Sequence, residues 1–452
     1  MSSSIQERSI PELSGNRWVH SSRTLLLAVL MAAPLEFGAV EPWAWAAMTV
    51  CTFVAVLLWC IGSFKSRQLN VRGTALYVCL LLFLMLMLIQ QIGKITFDPL
   101  SARESIVKFV TYSVVFFLGR ELFRRDRKKI WYSFGLIVTI YVFLMALFAT
   151  IQFFSSPGLL YWVRKPLWGG VVFGPYVNHN HYAGLMEILI PIALGYLVAT
   201  DKETARPALV FAVLFAVASV LLSGSRGGMI SLILQLVVFE ILLLRPNRHA
   251  MRSRTLITAG FGFIAAVLLL FLWLDPGEVT KRLEQTASSP EMGLADRKLY
   301  ASDAIRMFKK HPLLGIGVGS FEAAYPAYQT FSSDLVVNHA HDDYVEALAE
   351  AGIIGLLLIV SAIVLFLRAV SSIHPIGNSV DWIAVGAAVG CCGLLIHSFS
   401  DFNLHIPANA AWFAFTAGIA TASGKHHAKL HWKRELEIAH LEPTRNRQES
   451  CI

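Results

Sequence analysis

Charge is scarce in this sequence. Of its 452 residues only 15% are charged and 56% are hydrophobic, against about 25% charged in a soluble domain. Mean hydropathy is +0.59. No water-soluble core absorbs so much apolar side chain, so the composition excludes an ordinary soluble globule. Cysteine is scarce as well. Cys51, Cys60, Cys79, Cys391 and Cys392 fall in apolar runs and Cys451 in the C-terminal tail, which leaves no pair in a loop for a structural disulfide. No Cys/His spacing of zinc-finger type and no H-E-x-x-H occurs. The glycine run GIGVGS (315–320) lacks the βαβ surroundings of a dinucleotide site. The net charge of +8 needs no nucleic acid; basic loops facing anionic lipid account for it.

What is present is a series of apolar blocks, each about 17–25 residues long, the length that crosses roughly 30 Å of hydrocarbon as a helix. Lipid forces the backbone to satisfy itself, so these are helices rather than open sheets. The expected fold is all-α: a polytopic transmembrane bundle of about twelve spans, at 24–40, 43–62, 74–92, 104–119, 131–154, 182–199, 207–223, 228–244, 255–274, 344–367, 381–399 and 406–422. Pro34 and Glu36 interrupt the first and Lys108 the fourth. No cleavable leader is expected, because a polar 23-residue head precedes the first apolar run, which continues into further spans. With the N-terminus in the cytoplasm, Lys and Arg number 25 on that side and 12 on the other, seven of the twelve in one long loop. This bias predicts that both termini are cytoplasmic.

The domain organisation follows. A cytoplasmic segment (1–23) leads into nine spans (24–274), which include an outer loop at 155–181. A large outer loop (275–343), three more spans (344–422) and a basic cytoplasmic tail (423–452) complete the chain. A loop as long as 275–343 inside a compact protein is usually functional. Within it DRKLYASDAIRMFKK reads as an amphipathic helix, with Tyr300, Ala304, Met307 and Phe308 on one face and Arg297, Asp303 and Lys310 off it.

Polar clusters stand at the mouths of the apolar runs. Arg226, in SGSRGG (223–228), joins two spans; a charge at membrane depth usually marks a substrate path. Its glycine neighbours let an anion approach both guanidinium and backbone. His339 and His341, in VNHAHDDY (337–344), can accept protons near neutral pH. Asp342 and Asp343 follow in the first turn of a helix, where carboxylates suit the dipole. Asn178, His179 and His181, in VNHNHY (177–182), repeat the pattern, but their surroundings do not, so no internal repeat is inferred. Four histidines could ligate zinc, yet H-x-H spacing alone does not specify a metal site. Hydrogen bonding to a polar ligand is the expected role, with no metal and no cofactor. Glu346 and Glu350, four apart, should face the protein interior. His397, Asp401, Asn403 and His405 fit either a cavity wall or a self-satisfied turn.

The order of SGSRGG, then HPLLGIGVGSF (311–321), then HAHDDYVEALAEAGIIG (339–355) resembles the O-antigen ligase and polymerase superfamily of bacterial inner-membrane proteins. The family pattern is His, then Asn, Ser or Gln, nine residues, Gly, two residues and Gly. Here His341, Asp342, Gly352 and Gly355 keep the spacing, with Asp342 in place of the amide or hydroxyl. The resemblance covers about 170–410. It implies a glycosyltransferase C-like membrane fold with a long periplasmic loop containing short helices. The implied activity is metal-independent, inverting transfer of a glycan from an undecaprenyl-diphosphate carrier to an acceptor hydroxyl of lipid A–core or a polysaccharide. It further implies His341 as general base, Arg226 and Arg297 on the diphosphate, and His339, His179, His181, Asn178 and Asp342 as substrate-binding candidates. A polymerase of the same superfamily is the alternative, and a transporter of small anions is the alternative from another class.

Overall fold

The computed structural model describes residues 15–66, 71, 73–124, 128–156, 158–166, 170–243, 262, 294–332, 336–373 and 380–422. Among them the fold is helical throughout, with only two isolated β-bridges. The long helices are α1 (Gly15–Ala32), α2 (Pro42–Lys65), α3 (Ala75–Ile92), α4 (Pro99–Arg124), α5 (Lys128–Ser155), α6 (His179–Ala199), α7 (Arg206–Ser223) and α8 (Arg226–Leu243). After the described part of the long loop come α9 (Leu294–Lys310), the short α10 (Phe321–Ala324), α11 (Asp343–Val370), α12 (Asp381–His397) and α13 (407–422). Eight of these segments are long and apolar enough to cross a membrane. Leu57, Phe64, Ile92, Ile233 and Leu357 stand exposed along them, as lipid-facing side chains do.

Eleven of the twelve expected spans overlap helices, and 255–274 lies outside the described residues apart from Gly262. The differences have local causes. Pro34 ends α1 early, in a 3₁₀ turn at Ala33–Leu35. Before that, α1 begins at Gly15, inside the expected cytoplasmic segment. α4 runs well beyond its apolar block at both ends, because Arg103, Glu104, Arg120 and Glu121 continue a helix as readily as leucine does. Lys108 is accommodated within it by Glu104 at 3.8 Å and the ring of Trp45 at 5.0 Å.

α6 is the axis of the bundle. All 21 of its residues are buried, and its most extensive partner is α12. The two helices meet through small residues, as membrane helices do when backbones pack directly. A Cβ at Gly386 would collide with the backbone of Pro191, and one at Gly390 with that of Ile188.

The long loop has a core of its own. Tyr300, Ala304 and Met307 of α9 pack with Ile316, Phe321 and Tyr325 against the start of α11. Asp303, placed off the apolar face by periodicity, is fully buried. It accepts from the Tyr325 hydroxyl (3.0 Å) and from the Thr330 N–H (3.2 Å) and hydroxyl (2.9 Å). A second tie explains one motif glycine. Gly352 breaks α11 at φ 64°, ψ −167°, a region open essentially to glycine alone. The break frees backbone groups that the HPLLGIG turn takes up: Ile316 N–H donates to Ala349 O (3.1 Å), Gly317 N–H to Glu350 O (3.0 Å) and Ile353 N–H to Pro312 O (2.9 Å). The loop is thereby fixed to the membrane helix next to the histidines.

Candidate active site

The starts of α6, α8, α11 and α13 and the ends of α7 and α12 gather at one end of the bundle. Into it projects the turn 398–406, whose consecutive residues Ser400 and Asp401 divide two groups of side chains.

On the Asp401 side stand imidazoles. Asp401 is fully buried. Its Oδ1 lies 3.6 Å from Nδ1 of His341 and 3.8 Å from Nε2 of His181, too long for hydrogen bonds but close enough for charge to act. Burial disfavours its ionised form, yet His341, His181 and His397 around it outweigh burial and hold the carboxyl well below the usual carboxylate range. Phe402 lies among three of the histidines, edge-on to His181 (4.8 Å) and His341 (4.7 Å) and stacked on His339 (4.3 Å). His341 sits at φ 54°, a left-handed conformation uncommon for a residue with a Cβ. Nδ1 of His341, Nε2 of His181 and Oδ2 of Asp401 are buried with no hydrogen-bond partner among the described residues.

On the Ser400 side stand arginines. Arg297, on α9, donates from Nη1 to Ser400 O (2.7 Å), and its buried Nε has no hydrogen-bond partner among the described residues. Arg226 is the first residue of α8 and is exposed. Gly227 follows it, and a Cβ there would meet Ser400 Oγ and the ring of His397. The first turn of an 18-residue helix therefore opens onto the same turn that Arg297 grips. Helix N-termini favour anions, and guanidinium groups pair with phosphate.

A third group is satisfied within itself. His339 Nδ1 lies 2.8 Å and His405 Nε2 3.2 Å from Glu346 Oε1, and His405 Nδ1 lies 2.8 Å from Asp343 Oδ1. The Ala340 N–H fills the other oxygen of Glu346 at 2.7 Å. Desolvation works against the charged imidazole of His405, but the Glu346 charge and the bond to Asp343 push its pKa up to about 10. His339, Glu346 and His405 present three ligand atoms within 4.8 Å of one another and could hold a divalent cation. Their contacts have hydrogen-bond lengths, however, and read as an ion-pair network.

Among the expected site residues, His341, His181, Arg226 and Arg297 are brought round the Ser400–Asp401 turn. His339 joins the satisfied network. Asn178 caps α6 by accepting the Asn180 N–H (2.7 Å), and Asp342 caps α11 by accepting from Tyr344 (3.0 Å) and Val345 (3.1 Å). His179 Nδ1 contacts Ser223 O at 2.6 Å. Glu346 and Glu350 are buried, as expected. The sequence left Asp401 and His397 open, and Glu187 was missed. A lone carboxylate in the apolar run LMEILIP was the available signal.

No curated protein matches the chain at a significant level. A family model described as O-antigen ligase matches residues 211–360, a segment that contains Arg226, Arg297, His341 and the Gly352 break. Over those residues, about a third of the chain, this multi-pass helical protein is similar to the O-antigen ligase family.

Proposed function

We propose that this protein is a membrane glycosyltransferase of the O-antigen ligase type. It takes a glycan from an undecaprenyl-diphosphate carrier and passes it to an acceptor hydroxyl, of lipid A–core or another glycan, on the periplasmic face of the bacterial inner membrane. Both termini lie in the cytoplasm. The observation that supports this most is the two-sided turn, with an anion-favouring set (Arg226, Arg297, the start of α8) beside Ser400 and a base with a carboxylate behind it (His341, Asp401) beside its neighbour.

His341, backed at Nδ1 by Asp401, accepts the acceptor's hydroxyl proton at Nε2 as that oxygen attacks the anomeric carbon. The bond from the anomeric carbon to the phosphate oxygen breaks on the opposite face, so configuration inverts. The electron pair stays on the diphosphate, where Arg226, Arg297 and the α8 N–H groups stabilise it. Diphosphate is a good leaving group, so no paired carboxylates of glycosidase type are required, and neither metal nor cofactor has a step to perform.

The test is a gel of lipopolysaccharide and surface glycans from the native host, with the gene deleted and then restored as wild type, His341→Ala or Arg226→Ala. Loss of polymer from lipid A–core, with polymer retained on the carrier lipid, is the expected result for deletion and for both variants. A core bearing a single repeat unit would make the protein a polymerase. Unchanged glycans would remove the assignment and favour transport.

A further inference from the structure

Glu187 lies in the middle of α6, fully buried, and neither of its carboxylate oxygens has a hydrogen-bond partner among the described residues. A carboxylate so placed is strongly disfavoured unless something compensates it. The nearest candidate is His397 at the end of α12. It is also buried, with Nδ1 2.9 Å from Glu187 Oε1 though not aligned along the N–H direction. The other edge of that ring points at the start of α8. The Cδ2 and Nε2 atoms of His397 lie 2.7 Å from where a Cβ on residue 227 would stand. Ser225 Oγ already accepts the Gly228 N–H (3.2 Å), which leaves the earlier amides of the turn for an anion. A buried polar side chain is thus aimed at a helix N-terminus that carries Arg226 and lies against the Arg297-bound turn.

We propose that His397, held by Glu187, is a further diphosphate-binding residue, its Nε2–H acting as a third donor beside Arg226 and Arg297. The proposal rests on the reading above that the donor is a polyprenyl diphosphate. With a carboxylate at Nδ1 and a phosphate at Nε2, the ring keeps both protons throughout. The leaving oxygen receives the electron pair of the broken bond, and the acceptor's proton goes to His341, not to His397. Glu187 acts through His397 as a positioning residue.

The test uses the full-length protein in lipid nanodiscs, with undecaprenyl diphosphate and undecaprenyl phosphate as probes in equilibrium binding. His397→Asn keeps an amide near the Nδ1 position and lacks the Nε2 donor; it should weaken diphosphate binding about 10- to 150-fold, the range for a lost hydrogen bond to a charged group. His397→Gln reaches the Nε2 position and should lose only about threefold. Glu187→Gln should weaken binding at least about fivefold, and adding it to His397→Asn should cause little further loss, as expected of coupled neighbours. Binding of undecaprenyl phosphate should change less. Wild-type affinity in His397→Asn, equal losses in the Asn and Gln variants, or unchanged affinity in Glu187→Gln would each overturn the proposal; the last decides it even if the histidine variants fail to insert. If Arg226→Ala binds undecaprenyl diphosphate as well as wild type, the diphosphate reading itself fails, an outcome separate from those for His397.

Discussion

Two histidine groups lie side by side in this protein, and they differ in what they leave undone. Around Glu346, His339 and His405 make contacts of 2.8 and 3.2 Å to one carboxylate oxygen, and Asp343 and the Ala340 N–H take most of what remains. Around Asp401, His341 and His181 stop at 3.6 and 3.8 Å, and buried atoms on all three residues lack hydrogen-bond partners among the described residues. Buried polar groups are nearly always satisfied, so the second group is the one built to meet something else. On the reading proposed above, the first holds the loop in place and the second performs the chemistry.

That contrast can be broken by substitution. The largest effect is expected from His341→Ala, which removes the base and should lower transfer about 10²- to 10⁴-fold while the protein still inserts; a quantitative glycan-transfer assay on membranes checks it. Arg226→Ala and Arg297→Ala should each cost about 10²- to 10³-fold, measured in the same assay. Arg297→Lys should recover little, since a lysine cannot both hold Ser400 O and present a fork to phosphate. Asp401→Asn, nearly isosteric, should lower transfer about 10- to 100-fold by leaving His341 without its carboxylate, and should also lower thermal stability at neutral pH, because a carboxyl held below its ordinary range in the fold contributes stability there.

The smallest effect on transfer, and the clearest on stability, belongs to the satisfied group. His405 has its pKa raised in the folded state to about 10. Its contribution to stability is therefore full below the unfolded value of about 6.5 and fades as pH climbs toward the folded value. His405→Ala should lower Tm by roughly 2–4 °C at pH 6 and by progressively less toward pH 10, as thermal melts across that range would record. Transfer should fall less than about tenfold, well short of the loss in His341→Ala.

Much of the fold is legible in the sequence because lipid imposes one simple demand, an apolar helix of fixed length. That demand places α2, α3 and α5 to α8 within a few residues. It says little about Arg103 or Arg120, which continue a helix without being apolar, so the ends of α4 are not readable from hydropathy. The candidate site is legible where a charge or histidine has no business in an apolar setting, as with Arg226 and His341, which the fold brings to one turn. It is not legible where partnership depends on the three-dimensional crossing. Nothing in SDFNLH tells that Asp401 faces two imidazoles while His405, four residues on, joins a different carboxylate. Asp303 is misassigned for the same reason: the helical wheel puts it off the apolar face, and the burial comes from Tyr325 and Thr330 folding back over it.

The most direct test of the contrast is release of undecaprenyl diphosphate by the purified protein in lipid nanodiscs, supplied with a carrier-linked glycan and an acceptor, comparing His341→Ala with His405→Ala. Near-complete loss of release in the first, with most activity kept in the second, is the expected result. Release by His341→Ala at the wild-type rate, or an equal loss in both variants, would contradict the division of labour between the two histidine groups.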